Sequence, residues 1–201
     1  MSTSSTVVEE THELEPHILA GRARAAVILF IISDVMSVMA ILAAGGYLSA
    51  LNVLNQYRVP GDHPPSFVLG LIVAIAIILS AVSYYVWGQG ALSDERGVGQ
   101  SGLLIAAFVL MLAATVIQII MGLTLGYAGN PYHAYESVMI LITWYSAIHF
   151  LLSAIIGLLL IGRIMRGRMA GRGFLVEASG YWWYYTVIAG LLMWVFTLVL
   201  H

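Results

Sequence analysis

Charged residues in this chain fall into short islands separated by long stretches that have none. Runs free of Asp, Glu, Lys and Arg cover residues 35–57, 63–93, 97–135, 137–162 and 178–201. The first extends backward to residue 25, interrupted only by Asp34. The third is too long for one crossing and ends in Gly126-Tyr127-Ala128-Gly129-Asn130-Pro131, a helix-breaking turn signal. A hydrocarbon layer ~30 Å thick takes about 20 apolar residues as helix. The pattern therefore predicts five spans, at about 25–51, 66–91, 101–126, 134–162 and 179–200. The short-period alternation of barrel strands is absent, and a helix satisfies its own backbone in lipid. The expected fold class is all-α, a polytopic membrane bundle of five transmembrane helices.

Composition narrows the picture further. Of 201 residues, 61% are hydrophobic and 9% charged, against ~25% charged in a typical soluble domain. Mean hydropathy is +0.94. An ordinary cytoplasmic enzyme, a secreted module and a disordered protein are excluded. The absence of cysteine removes disulfides, thiolate metal sites, iron–sulfur ligands and a cysteine nucleophile. Net charge is −2, the basic residues are all Arg, and no basic cluster is interleaved with aromatics, so nucleic acid is not an expected partner. The first twenty residues carry Glu9, Glu10, Glu13 and Glu15. They lack the basic start and short apolar core of a signal peptide, so residues 1–24 read as a cytoplasmic tail and 25–201 as the membrane domain. Arg22, Arg24, Arg96, Arg163, Arg166, Arg168 and Arg172 fall on one side of the predicted crossings and only Arg58 on the other. That bias places the N-terminus inside and the C-terminus outside.

An ionisable group within a span is a functional candidate. Asp34 stands about nine residues into the first span, ~13 Å along the helix. Ser83 and Ser153 fall at similar depth and are its candidate partners. It reads either as a protonated acid that bonds helices together or as a proton-handling group. His149, the one histidine well inside a span, lies near the middle of the fourth. A bis-histidine haem needs two and a copper site of nitrogen ligands needs several, so His149 reads as a hydrogen-bonded packing residue. Counted along the helices, Asp34 and His149 differ in depth by about 9 Å. His63, His133 and His201 map to the outer side with no ligand spacing, and no metal site is expected. Glu136 opens the fourth span, where a carboxylate suits a helix N-terminus. Glu177 precedes the fifth, near Arg172. Thr115 and Gln118 can bridge helices, and Gly45-Gly46 and Gly122 to Gly126 allow close approach. Tyr181-Trp182-Trp183-Tyr184-Tyr185, with Tyr84, Tyr85 and Trp87, forms an inner aromatic belt. The run of five is denser than anchoring requires, which points to Tyr181, Trp182 and Trp183 as contacts for a partner subunit or lipid.

Four segments together resemble a known family. They are Phe30-Ile31-Ile32-Ser33-Asp34, Tyr135-Glu136-Ser137, Thr143-Trp144-Tyr145-Ser146-Ala147-Ile148-His149, and Val176-Glu177 followed by Tyr181-Trp182. In order and placement they resemble subunit III of haem-copper terminal oxidases in its five-helix form, over about residues 25–200. Asp34 stands where that family has a buried glutamate. Ser146 replaces the first family histidine, Trp183 the histidine after tyrosine–tryptophan, and Thr186 the following aspartate.

The resemblance implies a subunit of a cytochrome c or quinol oxidase that itself carries no redox centre. Such a subunit packs against catalytic subunit I, binds phospholipid and sustains proton uptake during reduction of oxygen to water. Haem and copper are then expected in subunit I, and copper in subunit II. The implied setting is aerobic respiration in a bacterial plasma membrane, with a larger respiratory supercomplex as a further partner. Asp34, His149, Glu177, Ser83 and Ser153 are the buried polar candidates. The alternatives are the subunit III-like companion of a nitric oxide reductase, or a small proton-coupled transporter using Asp34 with His149. No paired carboxylates, Ser–His pair or metal motif within the spans supports a membrane enzyme.

Overall fold

A computed structural model describes residues 16–52, 57–58, 60–94, 97–128 and 133–200. Most of the predicted tail, together with Arg96, Pro131 and His201, lies outside the described residues. Five helices account for nearly all of the rest: α1 Pro16–Leu51, α2 Phe67–Ser93, α3 Ser101–Ala128, α4 Ala134–Met165 and α5 Gly173–Val199. All five are long and apolar enough to cross a membrane.

The helices overrun the predicted spans, most clearly where α1 begins at Pro16 and α5 at Gly173. A charge ends a membrane segment, but only the backbone ends a helix. Arg163 and Glu177 lie within α4 and α5. α4 stops instead at a glycine: Gly167 adopts φ +64°, its N–H bonds the Ile164 carbonyl, and the Arg168 N–H bonds the Arg163 carbonyl. That paired pattern is a Schellman cap. Between α2 and α3, the Asp94 carboxylate accepts the Val98 and Gly99 amides at 3.2 and 3.3 Å. Gly99 has φ +52°, and a Cβ there would stand 2.7 Å from the Ala91 nitrogen.

α2, α3, α4 and α5 form a ring in which each helix packs on two neighbours. α1 lies outside the ring against α5 and α4 and approaches neither α2 nor α3. Inside the ring, large rings meet small residues. Trp183 is fully buried, and a Cβ on Gly157 would stand 3.0 Å from its ring. Gly122 meets the Trp144 ring at the same distance, and Gly45 lets α1 approach Phe196 and Val138. Such close contacts matter in lipid, where apolar burial alone does not draw helices together. The Trp194 indole N–H is buried without a hydrogen-bond partner, but other polar groups inside the ring are paired: Ser80 donates to the Ala107 carbonyl at 2.8 Å and accepts the Trp183 indole N–H at 3.1 Å. The Tyr84 hydroxyl donates to the Val176 carbonyl at 2.9 Å. Thr115 bonds its own helix at Met111 and does not bridge to another.

The aromatic run sits differently from expectation. Trp182 and Trp183 are 4% and 0% exposed within this chain, so their rings pack mainly against its own helices. α5 starts six residues earlier than predicted, which carries the run into the packed part of the bundle. Tyr181 remains exposed.

Gly190 tests the packing of the ring. A Cβ there would lie 2.7 Å from the buried Phe150 ring and 3.3 Å from Ile77, whereas one at Gly162 meets nothing within 4 Å. Gly190→Ala is expected to cost about 1–3 kcal/mol by overpacking and Gly162→Ala to be neutral, read as loss of the folded fraction on titrating SDS into detergent-purified protein.

Candidate functional site

Asp34 is the nineteenth residue of α1 and His149 the sixteenth of α4, each near the middle of its helix. They meet. The His149 Nε2 lies 2.6 Å from Asp34 Oδ2, so the predicted depth difference does not hold. That count measured each residue from its own span edge. α1 and α4 both extend beyond those edges, by unequal amounts.

Two tyrosines complete the site. The Tyr185 hydroxyl donates to Asp34 Oδ2 at 2.5 Å and the Tyr145 hydroxyl to Oδ1 at 2.7 Å. The other histidine nitrogen, Nδ1, lies 2.8 Å from the Tyr145 carbonyl oxygen. A carbonyl accepts only, so Nδ1 carries a proton. One further proton then lies between Nε2 and Oδ2. The pair is carboxylate with imidazolium, or carboxylic acid with imidazole; each arrangement is neutral overall. The Asp34 and His149 side chains are 15% and 7% exposed. At that burial, neutrality and three donors offset the cost of a carboxylate in an apolar helix.

Helical spacing supplies the donors. Tyr145 and His149 are four apart on α4, one above the other, and Trp182 and Tyr185 are three apart on α5. Trp182 stacks on the His149 ring (centroids 5.6 Å, 18° between planes) and contacts Phe30 of α1 at 5.0 Å. One helix turn or more away, Glu177 of α5 accepts the Arg24 guanidinium of α1, with Nε 2.7 Å from Oε2. Glu177 thus pairs across helices with Arg24, and not with its sequence neighbour Arg172.

Ser83 and Ser153 are not partners of Asp34. Ser83 lies on α2, which α1 does not approach. Ser153 donates to Thr186 Oγ1 at 3.1 Å, so it joins α4 to α5 beside the site. Ser146 bonds back to the Ile142 carbonyl of its own helix at 2.9 Å. Tyr145 and Tyr185 escaped sequence reading as site residues. Their signal was positional: each lies one turn from a residue that the family motifs single out, His149 and Trp182.

Two clefts lie toward the end of the bundle where α4 ends and α5 begins. An apolar one of 560 Å³ runs between α1 and the α4–α5 pair, lined among others by Ala26, Phe30, Ile155, Ala178 and Trp182. The Trp182 indole N–H is buried and has no hydrogen-bond partner. The second, of 730 Å³, is lined by Arg163, Arg166, Arg168 and Arg172 with Leu158 and Leu159.

The chain matches no protein-family model, and no curated protein sequence matches it.

The site predicts a graded response. Asp34→Ala leaves three donors without an acceptor and is expected to cost ~3–5 kcal/mol, as breaking a buried pair does. Tyr185→Phe removes one donor and is expected to cost ~1–3 kcal/mol. Unfolding in mixed detergent–SDS micelles, with the Asp34→Ala/Tyr185→Phe double variant closing the cycle, measures both and their coupling. Additive losses would mean that the two residues act independently.

Proposed function

We propose that this chain is a non-catalytic subunit III of a haem-copper terminal oxidase, holding the helix bundle and its lipids against catalytic subunit I. One observation carries the reading: segments singled out by the family resemblance on three different helices come together. Phe30 and Asp34 of α1, His149 of α4 and Trp182 of α5 form one contiguous cluster. Glu177, from the same motifs, pairs with Arg24 nearby. In this reading Asp34 is a structural lock for α1, and the electron carriers, haem and copper belong to partner subunits. The clefts suit phospholipid. The α1 cleft accommodates acyl chains, with the unpartnered Trp182 N–H at its wall as a donor for an ester carbonyl. Four arginines beside Leu158 and Leu159 suit an anionic headgroup.

A proton-coupled transporter is a second reading, favoured by the proton shared between Asp34 and His149 at 2.6 Å. One experiment separates the two. The chain, tagged at its C-terminus, is extracted in mild detergent and its co-purifying chains and reduced-minus-oxidised spectrum are recorded. Haem absorbance with a large multi-helix partner is the expected result. A colourless preparation that retains no partner overturns the oxidase reading and favours transport.

Within the oxidase complex, Asp34→Ala is expected to lower subunit retention and hasten inactivation during turnover. Wild-type retention and turnover lifetime would remove Asp34 from that role. Replacing Arg166 and Arg168 by Gln is expected to reduce co-purified anionic phospholipid, at ~1 kcal/mol for each arginine, as quantified by lipid extraction and mass spectrometry.

A further inference from the structure

The bundle end opposite the arginines carries a second polar cluster that the proposed function does not use. Asp62, from the α1–α2 connection, and His133 and Glu136, at the start of α4, each offer a ligand atom. These three atoms lie within 4.8 Å of one another. The carboxylates are buried: the Asp62 and Glu136 side chains are 1% and 2% exposed. His133 Nδ1 stands 2.9 Å from Asp62 Oδ1. Glu136 Oε1 accepts the His63 amide at 2.8 Å, and the His63 Nδ1 lies 3.6 Å from the same oxygen. His133 is the N-cap residue of α4, yet its side chain makes no cap bond and turns to Asp62.

A second observation points to a ligand at this place. The hydroxyls of Tyr57 and Tyr135 are buried and have no hydrogen-bond partner. Tyr135 is 0% exposed, its ring meets that of Tyr57 edge-on at 5.7 Å, and its phenol lies within electrostatic reach of both Asp62 and Glu136. The buried Tyr135 hydroxyl near two buried carboxylates is a polar group that water bound to an ion would satisfy. Arg58 stands 5.3 Å above the Tyr135 ring, and its guanidinium does not ligate a metal.

We propose that Asp62, His133 and Glu136 bind one divalent transition-metal ion, with Zn²⁺ as the best match to the donors. One imidazole nitrogen and two carboxylate oxygens, with the second imidazole of His63 in reach, are the mixed N/O set that Zn²⁺ accepts. Ligand atoms around Zn²⁺ at ~2.1 Å are ~3.4 Å apart, so side-chain rotation within the present span closes the shell. The ion replaces the proton between His133 and Asp62, and a water bound to it satisfies the buried Tyr135 hydroxyl. It would staple the α1–α2 connection to the head of α4. The site does not depend on the oxidase reading.

The test uses the full chain without an oligohistidine tag, purified in detergent, stripped with EDTA and titrated with Zn²⁺ against a chromogenic chelator. One Zn²⁺ per chain is expected. Asp62→Asn, His133→Gln and Glu136→Gln should each weaken binding by about tenfold or more, while Gly162→Ala, where a Cβ meets nothing within 4 Å, leaves it unchanged. Glu136→Gln keeps an acceptor for the His63 amide, so its fold is preserved. Co²⁺ in place of Zn²⁺ should give the intense visible bands of a four- or five-coordinate ion. A chain that binds no Zn²⁺, affinity untouched in all three variants, or a Co²⁺ spectrum like that of the hydrated ion overturns the proposal.

Discussion

A carboxylate halfway along an apolar helix must have its lone pairs answered by other side chains, and the placement of α1 follows from that constraint. Asp34 finds a hydroxyl for one oxygen and a hydroxyl with an imidazole for the other. The donors come from α4 and α5, the two helices that α1 touches. Most of the remaining α1 surface is exposed Ile, Leu, Phe, Val and Met, which is as content against lipid as against protein. Apolar contact therefore leaves the register of α1 loosely defined. Sliding α1 by one turn would strand the carboxylate and three donors together, so the polar contact fixes the register that the apolar surface leaves free.

The four-helix ring is held differently. It packs large rings against glycines and gives three of the hydrogen-bonding rings in its interior a nearby acceptor, Ser80 for Trp183, the Val176 carbonyl for Tyr84 and the Val98 carbonyl for Trp87, while the Trp194 indole N–H has none. Because α1 is pinned at Asp34, at Arg24 and along Gly45, a cleft remains between those points. The apolar volume beside Trp182 is thus a consequence of how α1 is attached. The two ends of the bundle also differ in chemistry, with arginines around one cleft and a carboxylate–histidine cluster at the other end.

The five helices were legible because charge is scarce and unevenly spread, and charge is what lipid selects against. Asp34 and His149 were legible as exceptions for the same reason. Their contact was not, because depth counted from charged residues assumes that helices end where apolar sequence ends. Glycines 167 and 171, both with positive φ, end α4 and precede α5 well beyond that point. Tyr145 and Tyr185 were hidden by their residue type, since tyrosine in a membrane protein reads as an interfacial anchor. Trp183 was expected to contact a partner subunit or lipid because the aromatic run is denser than anchoring requires, and its ring is fully buried within this chain. Asp62 was invisible because its partner His133 lies 71 residues away, with no periodicity to connect them.

The direction of the hydrogen bonds bears on whether Asp34 and His149 form a wire or a lock. A wire needs each group to pass a proton to a further acceptor. Here both tyrosine hydroxyls donate inward to the same carboxylate, and the outer imidazole nitrogen ends on the Tyr145 backbone carbonyl. That carbonyl cannot relay a proton. The proton between Nε2 and Oδ2 moves within that pair, and the Tyr145 hydroxyl also meets Ser37 of α1, which leads back to the helix that carries Asp34. Transport would require Asp34 to release its donors in turn, which would also release α1. Exchange of a proton at Asp34 would loosen the contact that positions α1, and within the proposed oxidase reading that cost is consistent with a structural role for Asp34.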